Sequence, residues 1–120
     1  MNQEKENIIK SKSFSLAMKI IQLSQVLVTD KKEYVLSKQL LRSGTAIWAL
    51  IREAEHAESK LDFIHKLAIA QKESNETQYW LELLIASKFL DPQEGERILS
   101  ENREISKILA AIIVSSKKNL

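Results

Sequence analysis

Gln39-Leu40-Leu41-Arg42-Ser43-Gly44-Thr45-Ala46-Ile47-Trp48-Ala49-Leu50-Ile51-Arg52-Glu53-Ala54 reads as one helix with six consecutive apolar residues, Ala46 to Ile51, between two arginines. A helix that is apolar on every side needs cover on every side. In a chain of 120 residues, three other helices shield one side of such a segment well and both sides poorly. A second copy is therefore expected to cover the remainder, with Ile47, Trp48, Leu50 and Ile51 between subunits. Gly44 lies in the middle of the stretch. A helix-interior glycine costs about 1 kcal/mol relative to alanine, so its presence points to a neighbouring helix packed close against the backbone.

Working outward, this helix extends from about Lys32 to Glu55, after the polar break Asp30-Lys31-Lys32. Before it, Phe14, Met18, Ile21 and Val28 fall on one stripe that Leu16, Ile20, Leu23 and Leu27 widen, which predicts a helix over about 13–29. Residues 1–8 are expected to be flexible. After it, Ser59-Lys60-Leu61-Asp62 has the form of a capping box and opens a third helix, about 59–89, through Leu61, Ile64, Leu67, Trp80, Leu81 and Leu84. Asp91-Pro92-Gln93-Glu94 is a second start signal, with an aspartate cap and proline at the first helical position. It opens a fourth helix, about 92–117, through Ile98, Ile105, Leu109, Ile112 and Ile113 to a basic end at Lys117-Lys118. Short connections between long helices make neighbours antiparallel. The expected fold is all-α: a single domain over residues 1–120, an antiparallel up-down-up-down four-helix bundle, oligomeric.

Composition agrees with helices. With two glycines and one proline, strands would have few turns to separate them. The absence of cysteine removes a disulfide framework, a thiolate metal site and a cysteine nucleophile, and fits a cytoplasmic protein. The longest apolar run, Ile108 to Val114, falls far short of the ~18 residues of a membrane span. Residues Met1 to Ser13 are too polar for a signal peptide, so no membrane association is expected.

Charge is unevenly spread although the net charge is only +2. Residues 1–52 hold nine Lys or Arg against four Asp or Glu, whereas residues 53–106 hold six against twelve. One reading makes Lys31, Lys32, Lys38, Arg42 and Arg52, with Lys10, Lys12, Lys117 and Lys118, a basic surface for RNA or DNA phosphates, multiplied around a ring of subunits. The other pairs the basic and acidic helix faces with each other, Arg42 and Arg52 meeting acids such as Glu73 and Glu76. Phe14, Tyr34 and Trp48 are the aromatic residues in the basic half, and their spacing suits core or interface as well as base stacking.

Catalytic and metal patterns are weak. Glu53-Ala54-Glu55-His56 has the carboxylate-imidazole spacing of di-iron bundles, and Asp62-Phe63-Ile64-His65 echoes it. Both lie beside the same turn, which opposes a shared mid-bundle site and favours surface roles for the histidines. The serines show no nucleophile elbow and the two glycines no phosphate loop. The chain reads as non-enzymatic, with no cofactor. Gln39 and Ser43, and Gln71, Asn75 and Gln78, recur on shared helix faces and are expected to hydrogen-bond across the bundle or a subunit interface, or to line a polar groove.

Leu40-Leu41-Arg42-Ser43-Gly44-Thr45 and Glu76-Thr77-Gln78-Tyr79-Trp80-Leu81, with Ser59 and Asp62-Phe63-Ile64 between them, resemble the bacterial four-helix-bundle proteins encoded in intervening sequences of 23S ribosomal RNA genes. The resemblance covers about residues 7–118 and extends to the accessory variability protein of diversity-generating retroelements. It implies an antiparallel four-helix bundle that assembles as a homopentamer. For the retroelement relatives it also implies a basic surface that binds nucleic acid and a reverse transcriptase, whereas the role of most of the family is unassigned. After Ile47 the family pattern is a small residue followed by Ala-Asn-Ile, where this chain has Trp48-Ala49-Leu50-Ile51. Two positions thus become large and apolar, which would alter any interface or groove they line.

Overall fold

Helices start where nearby side chains can satisfy the first free amides, and three of the four starts show how. The computed structural model describes residues 3–120 and contains α1 (Gln3–Thr29), α2 (Leu36–Glu55), α3 (Lys60–Ala86) and α4 (Pro92–Lys118). The chain is all-α, with four helices packed as a bundle and no strand among the described residues. Ser59 caps α3 by accepting from the Asp62 amide at 3.0 Å. Asp91 caps α4 by accepting from the Gln93 and Glu94 amides at 3.1 and 3.2 Å, with Pro92 in the first turn. At α2 the residue in the capping position, Val35, has no side chain that can cap. Glu33 replaces it: its carboxylate accepts from the amides of Val35, Leu36 and Ser37 at 3.2, 3.0 and 2.7 Å.

This substitute cap explains why α2 starts at Leu36 and not near Lys32. Lys32 has a left-handed backbone, φ 57°, and the chain from Asp30 to Val35 is spent on a turn that delivers Glu33 to the helix. The third helix ends at Ala86, short of the expected Phe89. Lys88 is left-handed at φ 67°, and the amides of Phe89 and Leu90 return to the Leu84 carbonyl at 3.0 and 3.1 Å. Such a turn closes a helix end. At the other extreme, α1 begins at Gln3, well before the expected Ser13. Its first turns bring Ile9 into the core and let Lys10 and Lys12 bridge to Glu55 and Glu104 at 2.9 and 2.8 Å. Residues 1 and 2 of the segment expected to be flexible lie outside the described residues; residues 3–8 are helical.

Each helix packs on two others: α1 on α2 and α4, and α3 on α2 and α4. The core runs through Leu16, Ile20, Leu40, Ile47, Leu67, Leu81, Leu84, Ile105 and Leu109. A helix of 27 residues is ~40 Å long, and this sets the long dimension of a molecule of 47 × 23 × 19 Å. No helix of the described residues is long and apolar enough to cross a membrane.

Gly44 does what its position in the helix suggests. A Cβ there would lie 2.9 Å from both Ile20 Cγ1 and Cγ2, so α1 approaches the bare backbone of α2. Polar contacts join α3 to its neighbours. The Thr77 hydroxyl donates to the Glu73 carbonyl and lies 2.9 Å from Ser43 Oγ on α2. Ser74 Oγ donates to Asn102 Oδ1 at 2.8 Å, and Asn102 Nδ2 returns a bond to the Ser74 carbonyl at 2.9 Å. Of the polar set expected from the sequence, one residue reaches across the bundle. Ser43 makes a cross-bundle bond, Gln39 and Asn75 are exposed, and the buried work falls to Ser74, Thr77 and Asn102.

Candidate assembly face and basic surface

The sequence points to two candidate surfaces, one apolar and one basic. Ile47 and Ile51 are 0% and 3% exposed and belong to the core of the single chain. They have no surface to give a subunit contact, because they share with Leu40 and Ala54 the stripe of α2 that faces the other helices. This corrects the expectation that all of Ile47, Trp48, Leu50 and Ile51 lie between subunits. Leu50 is half-buried and packs on the core from its edge. Trp48 is also half-buried, and its ring meets Phe14 of α1 edge-on, with centroids 5.4 Å apart.

Around Trp48 the outside of the α1–α2 seam stays apolar. Phe14 is 49% exposed and Met18 43%, and Val28 and Leu41 are exposed as well. On α1, Phe14, Met18, Ile21 and Val28 recur at helical spacing, as do Leu41, Thr45 and Trp48 on α2, and Phe14 and Trp48 meet between the two helices. Gln25 and Thr45 interrupt the strip, and at its Trp48 end the cleft is charged, with Arg52, Glu53, Glu58 and Asp62. Lys12 and Lys19 of α1 are drawn to Glu104 and Glu101 of α4, at 2.8 and 2.7 Å. Monomeric proteins rarely leave a contiguous apolar patch larger than a few hundred Å² in water, and full burial of a side chain such as Phe or Met is worth ~1.5–3 kcal/mol.

The basic surface is smaller than the sequence count implies, because the bundle consumes much of its charge. Lys10, Lys12 and Lys19 pair with Glu55, Glu104 and Glu101. Arg42 is held by two carboxylates, Nη1 to Glu73 at 3.1 Å and Nη2 to Glu76. The hydrogen bond to Glu76 raises the Arg42 pKa, with Glu73 adding to it. Burial and a shared hydrogen bond with Glu76 push the Glu73 carboxyl up, whereas Arg42 holds Glu76 below its ordinary value. A guanidinium occupied in this way is not free for phosphate.

Lys31, Lys32 and Lys38 have no ion-pair partner among the described residues. The first two sit on the α1–α2 turn and the third in the first turn of α2, so they gather at one end of the bundle. Lys31 shares a cleft of about 420 Å³ with Lys88 of the α3–α4 turn, over a floor that includes Leu23, Val26 and Phe89. Asp91 and Glu94 line the same cleft, and Asp30 adjoins Lys31 in sequence. Glu33, beside Lys32, is turned inward. Burial pushes its carboxyl up, but the bonds from the Leu36, Ser37 and Val35 amides outweigh that and hold it below the ordinary 4.5. Arg52 lies at the other end of α2, its guanidinium 4.8 Å from the centre of the Trp48 ring. The structure therefore separates the five expected basic residues into a cluster of three, a stacked Arg52 and a sequestered Arg42.

The histidines are exposed, and Glu53 of the Glu-x-x-His pattern bridges to Lys66 at 3.2 Å. The spacing of Phe14 left core and interface open; its exposure shows that it faces outward, and its ring contact makes it the partner of Trp48.

A family model described as 23S rRNA-intervening sequence protein matches residues 5–111. Among solved structures, the chain is similar to the crystal structure of a protein of unknown function from the S23 ribosomal protein family of Bacteroides thetaiotaomicron VPI-5482. The two are 52% identical, the match covers 91% of this chain and 97% of that one, and the TM-score is 0.90. Comparison with proteins of curated function finds no match.

Proposed function

The chain belongs to the 23S rRNA-intervening sequence protein family, and from that premise we propose that it is a non-enzymatic, cytoplasmic scaffold that assembles with copies of itself. The unit of assembly is an antiparallel up-down-up-down bundle. The contacts support this order: Lys10 meets Glu55 and Ser24 meets Ser37 between α1 and α2, and Lys60 meets Asn119 and Ser74 meets Asn102 between α3 and α4. Low numbers of one helix face high numbers of the next. Five copies is the number that the resemblance implies.

The observation that carries self-association is the apolar seam of Phe14, Met18, Leu41 and Trp48. Trp48→Glu would place a charge in that strip and is expected to convert the assembly to monomers, measured as light-scattering mass on a size-exclusion column. Unchanged mass removes the seam from the interface. Phe14→Glu, at a more exposed position, repeats the test with less risk to folding, and circular dichroism checks that each variant keeps its helices.

A second reading, binding of RNA or DNA, is favoured by the unpaired Lys31, Lys32 and Lys38 at one end of the bundle. Assembly would repeat that cluster on every subunit, and Arg52 is the remaining candidate from the second helix. Electrostatic binding releases counterions, so affinity falls steeply with added salt. Replacing all three lysines by glutamine should abolish a low-salt mass gain with an oligonucleotide pool, whereas Arg42→Gln should leave that gain intact. A pool that binds the triple variant as well as the wild type would end this reading. A reverse transcriptase is the expected partner only if one is encoded beside the gene.

A further inference from the structure

We propose that Arg42, Glu73 and Glu76 form a proton-operated clasp on the outside of the α2–α3 seam. One proton held between the two carboxyl groups closes the clasp, and its loss sets them against each other over a single guanidinium. The clasp lies within one chain and needs neither self-association nor a nucleic acid.

Glu73 and Glu76 are three residues apart on α3, so their side chains leave the same face of the helix. Arg42 of α2 reaches both: its Nη1 donates to Glu73 Oε1 at 3.1 Å and its Nη2 to Glu76 Oε2. Two acids thus share one cation, and a hydrogen bond joins their carboxyl groups. Two ionised carboxylates cannot make that bond, because neither carries a hydrogen. It needs one proton on the pair. The other charged neighbours do not restore the balance at Glu73. Lys72, on α3 itself, acts on Glu76. On α4, the other helix packed against α3, Glu96 bridges to Arg103, and Glu101 and Glu104 to lysines of α1. No ion pair from α1 or α4 reaches Glu73 or Glu76 among the described residues.

Burial decides which carboxyl keeps the proton. The Glu73 side chain is 15% exposed and that of Glu76 38%, and burial disfavours the charged form. Burial first, then the hydrogen bond with Glu76, hold Glu73 above the ordinary 4.5 against the pull of Arg42. The hydrogen bond from Arg42 first, then that with Glu73, hold Glu76 below it. Glu73 is therefore the donor and Glu76 the acceptor. The same turn of α3 is fastened from inside, since the Thr77 hydroxyl donates to the Glu73 carbonyl and meets Ser43 of α2. The outer clasp and the inner contact thus hold the same two helices at the same level of the bundle.

The two acids respond to pH in opposite senses. Glu73, raised in the folded state, adds stability that is complete below 4.5 and is lost as pH rises through its folded value. Glu76, lowered in the folded state, adds stability that is complete above 4.5 and is lost as pH falls through its folded value. The clasp therefore grips hardest near 4.5 and loosens toward neutral pH. A plain ion pair of Glu73 with Arg42 would do the reverse and grip best at neutral pH.

Carbon-detected NMR titration of the side-chain carboxyls tests the order on the wild-type chain, with no substitution. The Glu73 midpoint should lie above 4.5 and the Glu76 midpoint below it. A Glu73 midpoint at or below 4.5 overturns the clasp. Glu73→Gln is neutral at every pH and can still donate to Glu76 and accept from Arg42, so it copies the closed state. Its urea midpoint should exceed that of the wild type at neutral pH, and the two should converge in acid as the wild-type Glu73 takes up its proton. Circular dichroism checks that the variant keeps its helices. A urea midpoint below the wild type at neutral pH is the mark of the plain ion pair and overturns the clasp. Glu76→Gln removes the like charge and the acceptor together, and should move the Glu73 titration down by a resolved shift. A Glu73 titration that stays in place would show that burial alone sets it and that the two carboxyl groups share no proton.

Discussion

The two sides of α2 are joined to their neighbours by different means. Toward α1 the contact is one of shape: Gly44 has no side chain, Ile20 fills the space, and outside that contact the seam remains apolar and open. Toward α3 the contact is polar and closed, with Ser43 against Thr77 inside and Arg42 clamped by Glu73 and Glu76 outside. A seam whose polar groups are satisfied within the chain needs nothing more. One that leaves Phe14, Met18 and Trp48 in water gains by finding a partner. Where the resemblance implies a small residue and an asparagine, this chain has Trp48 and Leu50, one on each side of the helix. The change at 48 therefore falls on the open seam, and the change at 50 on an edge already packed against the core.

The contrast is tested hardest where the polar fastening is deepest. Asn102 is 1% exposed and exchanges two bonds with Ser74. Asn102→Ala leaves the Ser74 hydroxyl without its strongest partner and opens a small cavity, so urea unfolding should show a loss of about 2–3 kcal/mol. Assembly mass should be unchanged, because the site is internal. A loss below that of Gly44→Ala would reverse the ranking of hydrogen bonds over shape.

Gly44→Ala is expected to have a smaller effect, because two opposing terms meet. Alanine gains about 1 kcal/mol in helix propensity over glycine, whereas forcing a methyl into a packed site costs about 1–3 kcal/mol. Ile20 is fully buried, and its branch point lies 3.2 Å from the new Cβ, so it cannot swing aside. The steric term should win and leave a net loss of about 1 kcal/mol. A stabilised variant would mean that α1 slides away at little cost, and that the seam is looser than its geometry implies.

Local chemistry made part of this architecture legible in advance. Ser59, Asp91 and Pro92 mark helix starts because their side chains and ring act within one turn, and the structure starts α3 and α4 beside them. Gly44 likewise announced a close neighbour without naming Ile20. The start of α2 was not legible, because Glu33 caps it from outside the usual position, across a left-handed lysine. Nor was the start of α1, whose first turns are helical through a single deep anchor, Ile9, and bridges to distant helices. Of the candidate surfaces, the apolar run in α2 was visible, but periodicity could not say which of its residues the chain would bury for itself. The five basic residues were visible too. The reading that pairs Arg42 with Glu73 and Glu76 is the one the structure shows, whereas which lysines stay without an ion pair depends on where the other helices place their acids, a tertiary fact with no trace at residues 31–52.

The smallest effect belongs to Glu33, and it separates capping from packing at the same end of α2. Its carboxyl sits below the ordinary 4.5 because the amide bonds outweigh the cost of burial. The folded state therefore holds this proton less tightly than the unfolded state does, and by linkage stability rises with pH across the window between the two values. The contribution is complete above about 4.5 and is lost as pH falls through the lower, folded value. Glu33→Gln keeps the shape but replaces a charged acceptor by a neutral one, and loss of a cap costs about 1 kcal/mol. Urea unfolding of the two proteins should therefore differ most at neutral pH and converge in acid. Curves that stay parallel to low pH would show that Glu33 supports the turn by packing alone. The Ser37 hydroxyl bond to the Glu33 carbonyl, at 2.8 Å, would then be what ties the turn to the first turn of α2.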